Sequence, residues 1–377
     1  MNTSNSIDCI IVGGGLLGML TARELTKAGM QVTLLEQGRT GRESSWAGGG
    51  ILSPLYPWRY ASAVTSLASW SQANYPQLVD ELIAEGCLDP ELTPSGLMIL
   101  DMDEVEVAKQ WAAQYQRNLQ VIDATERTRL AGEYDWSSIS AQQTIWMPEV
   151  AQIRNPRLAQ SLRESLEKQN VIIKEHSQVE SLIIHNSQIQ GVKGAFGEIL
   201  TNTVVIAGGA WSQQFLPAGH YEMLVKPVKG QMVLFQAEPG VVNHIYLYKD
   251  RYLIPRRDGH VLIGSTLEDT GFDKTTTEAA HEELIAVAHS MVPALRDYPV
   301  VRHWAGLRPG SPDGVPYITQ HPEINGLFFN AGHYRNGVVL GYASARLLAN
   351  LLLGDTPIVS PTPFGLCEEP VKDIDFV

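Results

Sequence analysis

The sequence predicts a parallel α/β domain interleaved with an α+β domain built on a mostly antiparallel sheet. Three observations predict it. The chain opens with an apolar strand, a helix and a second apolar strand. Between Val228 and Gly264, strand-like runs recur at short spacing with turns between them, as an antiparallel sheet requires. Strands and a long apolar helix then return near the end. At 377 residues the chain is too long for one ordinary core, and this order implies discontinuous domains. Residues 1–80, 150–222 and 305–377 are expected in the first domain, and 81–149 and 223–304 in the second.

Taken in order, Ile7–Val12 is an apolar run that ends in Gly13-Gly14-Gly15; its length and flanks read as a buried parallel strand. Leu16–Lys27 is helical in pattern and stops at Ala28-Gly29, and Gln31–Glu36 is the second strand, which closes a βαβ unit. No helix or strand period fits Gly38–Gly50. Ala61–Glu85 and Asp103–Asn118 read as helices, with Gly96–Asp101 as a strand between them. Asn155-Pro156 starts a helix that runs to about Lys168, because proline is pre-organised for the first helical position. Val171–Lys174 and Thr203–Ile206 are strand-like, the latter followed by Ala207-Gly208-Gly209. The antiparallel runs are Gln231–Gln236, His244–Tyr248, Tyr252–Pro255 and His260–Ile263. A helix over Thr277–Ser290, strands over Val300–Leu307 and Leu327–Asn330, and a last helix over Asn336–Leu353 complete the pattern.

With 44% hydrophobic and 18% charged residues, disorder is excluded. Lys plus Arg number 28 against 41 Asp plus Glu, a net charge of −13. Such a chain is a poor non-specific binder of nucleic acid or anionic membrane, so any cationic site must be local and suited to a small anion. Cys9, Cys87 and Cys367 are scattered, which argues against a disulfide framework or a cysteine-rich metal site and fits a reducing compartment. The longest apolar run near the end, Val338–Leu353, is broken by Arg346 and Asn350, so no segment reads as an integral membrane span. The N-terminal stretch Met1–Asp8 lacks the basic region of a signal peptide. The expected location is the cytoplasm.

Gly13-Gly14-Gly15-Leu16-Leu17-Gly18 satisfies GxGxxG, with a strand before it, a helix after it, and Glu36 at the end of the next strand. Each part has a physical task in dinucleotide binding. Gly13 permits the tight turn, Gly15 lets the backbone approach a pyrophosphate, and Gly18 lets helix and strand pack closely. The helix N-terminus around Leu16 and Leu17 offers N–H groups to phosphates, and Glu36 can accept from ribose hydroxyls. An acid with no adjacent arginine disfavours NADP; NAD and FAD remain. A second glycine-rich element, Arg42 to Gly50, favours FAD, since hydroxyls and bare backbone there could hold the rest of an extended cofactor.

The stretches GGGLLG, RESSWAGGG, KPVKGQ, RYLIPRRDG, GSTLE, HWAGLRPGSPDG and GHYRNGVVL occur in this order. Together they resemble the FAD-dependent amine oxidases of the D-amino acid oxidase superfamily, most closely its glycine oxidase branch, which serves thiamine biosynthesis. The resemblance implies a Rossmann-like, glutathione-reductase-type FAD domain beside a substrate domain. It implies oxidative deamination of glycine, sarcosine or small D-amino acids, with hydride transfer from the substrate α-carbon to flavin N5 and reoxidation by O2 to H2O2. A thiazole synthase downstream and a homotetramer are further implications. A D-amino-acid dehydrogenase with a membrane or quinone acceptor is the alternative. No cysteine stands in the block where sarcosine oxidases attach their flavin, so the FAD is expected to be non-covalent.

No side-chain acid or base and no metal site is required by the pattern. Arg308 is the expected carboxylate clamp, because arginine presents a two-donor fork that lysine lacks. It should stand at a strand end just past Leu307; the competing reading is a surface arginine paired with Asp313. Tyr252 is expected to donate to the same carboxylate, and Arg335 to support the substrate or the ring edge. The resemblance assigns Arg42, Ser44, Ser45, Ala47, Gly48, Gly49 and Gly50 to the flavin, Gly50 leaving space beside the pocket. It gives Val179 to the adenine, and Gly208 is a further expected cofactor-binding residue. His333, Arg335, Asn336, Gly337, Val338 and Val339 surround the last helix start, whose N–H groups could face the flavin N1–C2=O edge.

Overall fold

A computed structural model of the chain describes residues 7–100, 103–132, 134, 139 and 143–368. The outer parts of the expected domain segments, residues 1–6 and 369–377, and Asp101, the expected end of a strand, lie outside the described residues.

The opening βαβ unit forms as its pattern requires. Strands Cys9–Val12 and Val32–Leu35 pair in parallel around helix Leu16–Lys27. Ile172–Lys174 pairs beside Val32–Leu35; Val204–Ile206 and then Leu327–Ala331 extend the sheet in parallel on the other side. Tyr317–Gln320 closes that edge antiparallel, giving six strands. Both faces are covered. Cys9 and Ile11 face a core shared with helices Leu16–Lys27, Ser62–Ala84 and Gly337–Leu353, while Ile10 and Val12 face a second cluster with Val192 and Phe215. This is why the strand reads as an unbroken apolar run.

The other half is an eight-stranded mixed sheet, mostly antiparallel. Lys226–Gln236 and Val300–Gly310 form one edge, and His260–Gly264, Arg251–Pro255 and Ile245–Tyr248 follow. Leu97–Ile99, Thr144–Met147 and Gln120–Ile122 complete it. Helix Glu278–Met291, capped by the Thr277 side chain, packs on one face.

Several expectations are corrected. Arg308 stands inside strand Val300–Gly310, opposite Val228, and not beyond the strand's end. Pro309 continues the strand because it occupies a position at the sheet edge. The expected domain boundary at 304/305 therefore falls within a strand paired end to end with Lys226–Gln236. The boundary at 80/81 falls within helix Ser62–Ala84, whose buried face belongs to the parallel half. A three-stranded sheet, Val179–His185, Gln188–Gly194 and Gly197–Leu200, has no counterpart in the sequence reading.

Among the described residues, the segment Tyr334–Leu353 is long and apolar enough to cross a membrane by length and composition. It is mostly buried as a core helix against Leu16–Lys27 and Ser62–Ala84, with Arg346 paired to the buried Glu24 at 2.6 Å.

Candidate active site

A cleft with about 1640 Å³ of empty space runs from the glycine turn to the edge of the antiparallel sheet. At the turn, Gly13 has φ +112°, and a Cβ there would lie 2.3 Å from the Ala207 carbonyl oxygen. A Cβ on Gly18 would lie 1.9 Å from the Gly13 oxygen, so Gly18 serves the helix–strand contact and does not line the cleft. Gly15 differs: its nearest neighbour would be Ser45 Oγ at 3.2 Å, leaving backbone open to the cleft. Ser45 Oγ accepts from the Leu16 N–H at 2.7 Å, which ties the second glycine-rich element to the helix N-terminus. The Glu36 carboxylate accepts the Gly14 and Gly38 N–H groups, each at 2.7 Å, and lines the same cleft. Val179, Gly208, Leu16 and Leu17 border this end as well. A narrow, glycine-walled cradle below a helix N-terminus fits an extended dinucleotide.

The middle of the cleft is bordered by Glu43, Ser44, Ser45, Ala47, Gly48, Gly49 and Gly50. Ala47 packs against Gly306, and its carbonyl accepts the Trp304 indole N–H at 3.1 Å. Gly50 is corrected in one respect. Its φ is +78°, and a Cβ would lie 2.0 Å from the Ile153 oxygen, so the missing side chain makes room for backbone and not for a ligand. Arg42 is exposed and outside the cleft; its neighbour Glu43 borders it, held by Lys274 at 2.9 Å.

At the far end, Arg308, Tyr252, Arg335, Tyr334 and Met232 converge. The Arg308 guanidinium lies over Gly230, where a Cβ would come within 2.2 Å of it. It donates to the Thr266 carbonyl at 3.3 Å and to the Ser265 hydroxyl. Among the described residues, no carboxylate lies within ion-pair distance of Arg308 or Arg335, and the alternative pairing of Arg308 with Asp313 does not form. Burial pushes the Arg308 guanidinium below its usual range; the Tyr252 phenol opposes this and nearby Arg335 adds to it. Two arginines side by side without an acid leave positive charge that a small anion could answer.

Around the last helix, His333, Gly337 and Val338 border the cleft. His333 Nε2 is bonded to Ser344 Oγ at 2.9 Å, and burial lowers its pKa to about 3, so the ring is neutral. Asn336 and Val339 do not border the cleft: the Asn336 side chain is buried toward Gly314, and Val339 packs in the core. The sequence reading missed Gly230, Ser265, Thr266 and Met232 as individuals, although KPVKGQ and GSTLE contain the first three.

Residues 8–351 match the model of the DAO family, described as FAD dependent oxidoreductases. The chain belongs to the DAO family. A glycine oxidase of Pseudomonas aeruginosa is 49% identical over 94% of this chain and 97% of its own. The structure of glycine oxidase from Geobacillus kaustophilus superposes with a TM-score of 0.91 at 27% identity, covering 98% of this chain and 100% of that one. A bifunctional protein ThiO/ThiG of Nostoc is 29% identical over 92% of this chain, which spans 52% of the Nostoc protein. With DAO membership and glycine oxidase relatives at this identity, the protein is an FAD-dependent amino acid oxidase: its parallel half is the FAD-binding α/β domain and the antiparallel half the substrate domain.

Proposed function

We propose that this protein oxidatively deaminates glycine and other small amines or amino acids, such as sarcosine and small D-amino acids. The observation that carries the reading is the acid-free pair Arg308 and Arg335, facing Tyr252 at one end of the FAD cleft. Arg308 would hold the substrate carboxylate through its two-donor fork, kept in place by Ser265 and Thr266. Tyr252 would donate its phenolic O–H to the same carboxylate, and Arg335 would add charge at the rim. Bound FAD supplies the acceptor for the α-carbon hydride and the route of its electrons to O2, giving H2O2 and an imino acid.

The cofactor's phosphates would lie on the Gly15–Leu17 backbone, its ribose on Glu36, its adenine near Val179 and its ring along Ala47–Gly49 and the start of the last helix. No cysteine borders the cleft, and Cys9 and Cys87 are buried elsewhere, which supports non-covalent binding. Acid precipitation should then release all the flavin as FAD; flavin that stays with the pellet refutes that part. We place the domain boundaries after helix Ser62–Ala84 and after strand Val300–Gly310. The Nostoc protein, whose length is about half accounted for by this chain, supports delivery of the imine to a thiazole synthase.

The deciding experiment is peroxide production in air against glycine, sarcosine, D-alanine, D-proline and D-phenylalanine. Peroxide in proportion to amine oxidised, with small substrates preferred, is expected. Reduction of an artificial acceptor without peroxide would point to a dehydrogenase instead.

A further inference from the structure

Two consecutive arginines, Arg256 and Arg257, follow the strand Arg251–Pro255 that carries Tyr252. They part company at once. Arg257 reaches outward to Asp89 at 2.9 Å and to the Leu92 carbonyl at the surface. Arg256 turns inward and is only 7% exposed. Its Nη2 donates to the Gly49 carbonyl at 2.7 Å. Its Nη1 donates to Gln152 Oε1 at 2.6 Å and to the Ile153 carbonyl at 3.3 Å. Its Nε has no partner among the described residues. Gln152, itself buried, is fixed in turn by Ser95 and Pro255. Nearby Arg154 takes both local acids, Glu91 at 3.2 Å and Asp258 at 2.8 Å. Arg256 is therefore a buried cation with no ion-pair partner among the described residues, bonded to the backbone of the glycine segment that borders the cleft.

We propose that Arg256 is a positioning residue for the flavin: it fixes the Gly49 carbonyl, and its uncompensated charge behind that segment favours the reduced, negatively charged cofactor. The inference rests on the reading that the flavin ring lies along Ala47–Gly49. A buried charge is costly unless something answers it. Three neutral acceptors hold the guanidinium but do not neutralise it. Burial and neighbouring Arg154 lower its pKa to about 10, which leaves it charged at neutral pH. In a low-dielectric surrounding such a charge acts on any negative charge that develops in the cleft.

The holoenzyme tests this through two quantities, the FAD dissociation constant and the two-electron midpoint potential. Arg256→Met should weaken FAD binding at least tenfold and lower the potential by about 30 mV, equivalent to a tenfold change in the reduction equilibrium. Arg256→Lys keeps the charge but cannot span three acceptors. It should weaken FAD binding at least threefold while holding the potential near the wild-type value. Arg257→Ala should change neither. Wild-type values in Arg256→Met overturn the proposal, as does an equal shift of potential in Arg257→Ala. Should the methionine variant fail to fold, unchanged FAD binding in Arg256→Lys overturns it alone. Gly15→Val tests the underlying reading separately, because it crowds the phosphate turn. Weakened FAD binding there, with silent Arg256 variants, sinks only the Arg256 proposal; unaffected FAD binding there sinks the cleft reading as well.

Discussion

The parallel half buries one arginine and the antiparallel half partly buries another, and they treat it in opposite ways. In the parallel half, Arg23 sits within the first helix and meets Glu85 at 2.6 Å and Glu81 at 3.0 Å, with Ser165 beside them. Burial alone would lower its pKa, but the bonds to Glu85 and Glu81 more than offset that and hold it above the usual range. In the antiparallel half, Arg308 receives a hydroxyl and a carbonyl but no acid, and its pKa is pushed down. A buried guanidinium supplied with carboxylates by its own fold cross-links helices. Arg308, which has no acid among the described residues, keeps a fork that an anion from outside could meet. The charge state is the same in both cases; the partners differ.

The largest expected effect breaks the comparison on the binding side. Arg308→Ala should cost roughly 2–5 kcal/mol of transition-state binding, about 30- to several-thousand-fold in kcat/KM for a glycine-like substrate. An amine without a carboxylate should lose little, and the protein should still purify yellow. Equal losses for both substrates would show that Arg308 does not hold the carboxylate. Arg308→Lys should also be poor, because the fork is lost while the charge remains.

On the structural side, Arg23→Met should lower unfolding free energy by about 2–4 kcal/mol, the smaller values applying because Glu81 and Glu85 keep contact with water. Its kcat/KM should stay within about threefold of wild type, a loose margin for a site this distant. Denaturant titration and steady-state kinetics on one preparation check both halves of the contrast.

A third test uses the neutral His333. Its native pKa, about 3, lies below its unfolded value, so the unfolded chain binds a proton first as pH falls. Its contribution is complete above about pH 6.5 and is lost progressively toward pH 3. At pH 5 the loss is about 2 kcal/mol. His333→Gln should therefore lose about that much less stability than wild type between pH 7.5 and 5, measured by urea unfolding. An identical pH dependence in both proteins would refute it.

The smallest effect is the sharpest negative. Asp313, the rejected partner of Arg308, adopts φ +51°, a conformation asparagine shares readily. Asp313→Asn should change stability by no more than about 0.5 kcal/mol and leave kcat/KM for glycine within about twofold. A large fall in catalysis would restore the pairing.

How much of this could be read from the sequence follows the same divide. The glycine turn is legible because its parts are neighbours in sequence: Gly13 and Gly18 touch each other, and Glu36 closes the same βαβ unit. Arg308 became prominent through resemblance, but its seat did not. Gly230 clears the space and Ser265 and Thr266 hold the fork, all brought there by strand pairing that no local period announces. Arg256 does not stand out in the sequence because its acceptors, Gly49, Gln152 and Ile153, come from remote stretches. Strand Lys226–Gln236 is legible in the sequence only from Gln231 onward, since Pro227 and Gly230 interrupt its pattern. The three strands between Val179 and Leu200 carry little signal in the sequence because they are short, polar and largely exposed.

The six-stranded sheet also sets a timetable for the growing polypeptide. Cys9–Val12 and Val32–Leu35 are made first, yet the neighbour on the other side of Cys9–Val12 is Val204–Ile206, and the strand beyond that is Leu327–Ala331. At translation speeds of about 5–20 residues per second, the opening unit waits roughly ten to thirty seconds for the first of these partners. Through that interval one edge of an apolar strand stays unpaired as the chain leaves the ribosome, so the glycine turn, whose Gly13 rests on the Ala207 carbonyl, cannot take its final shape until Ala207 has been synthesised.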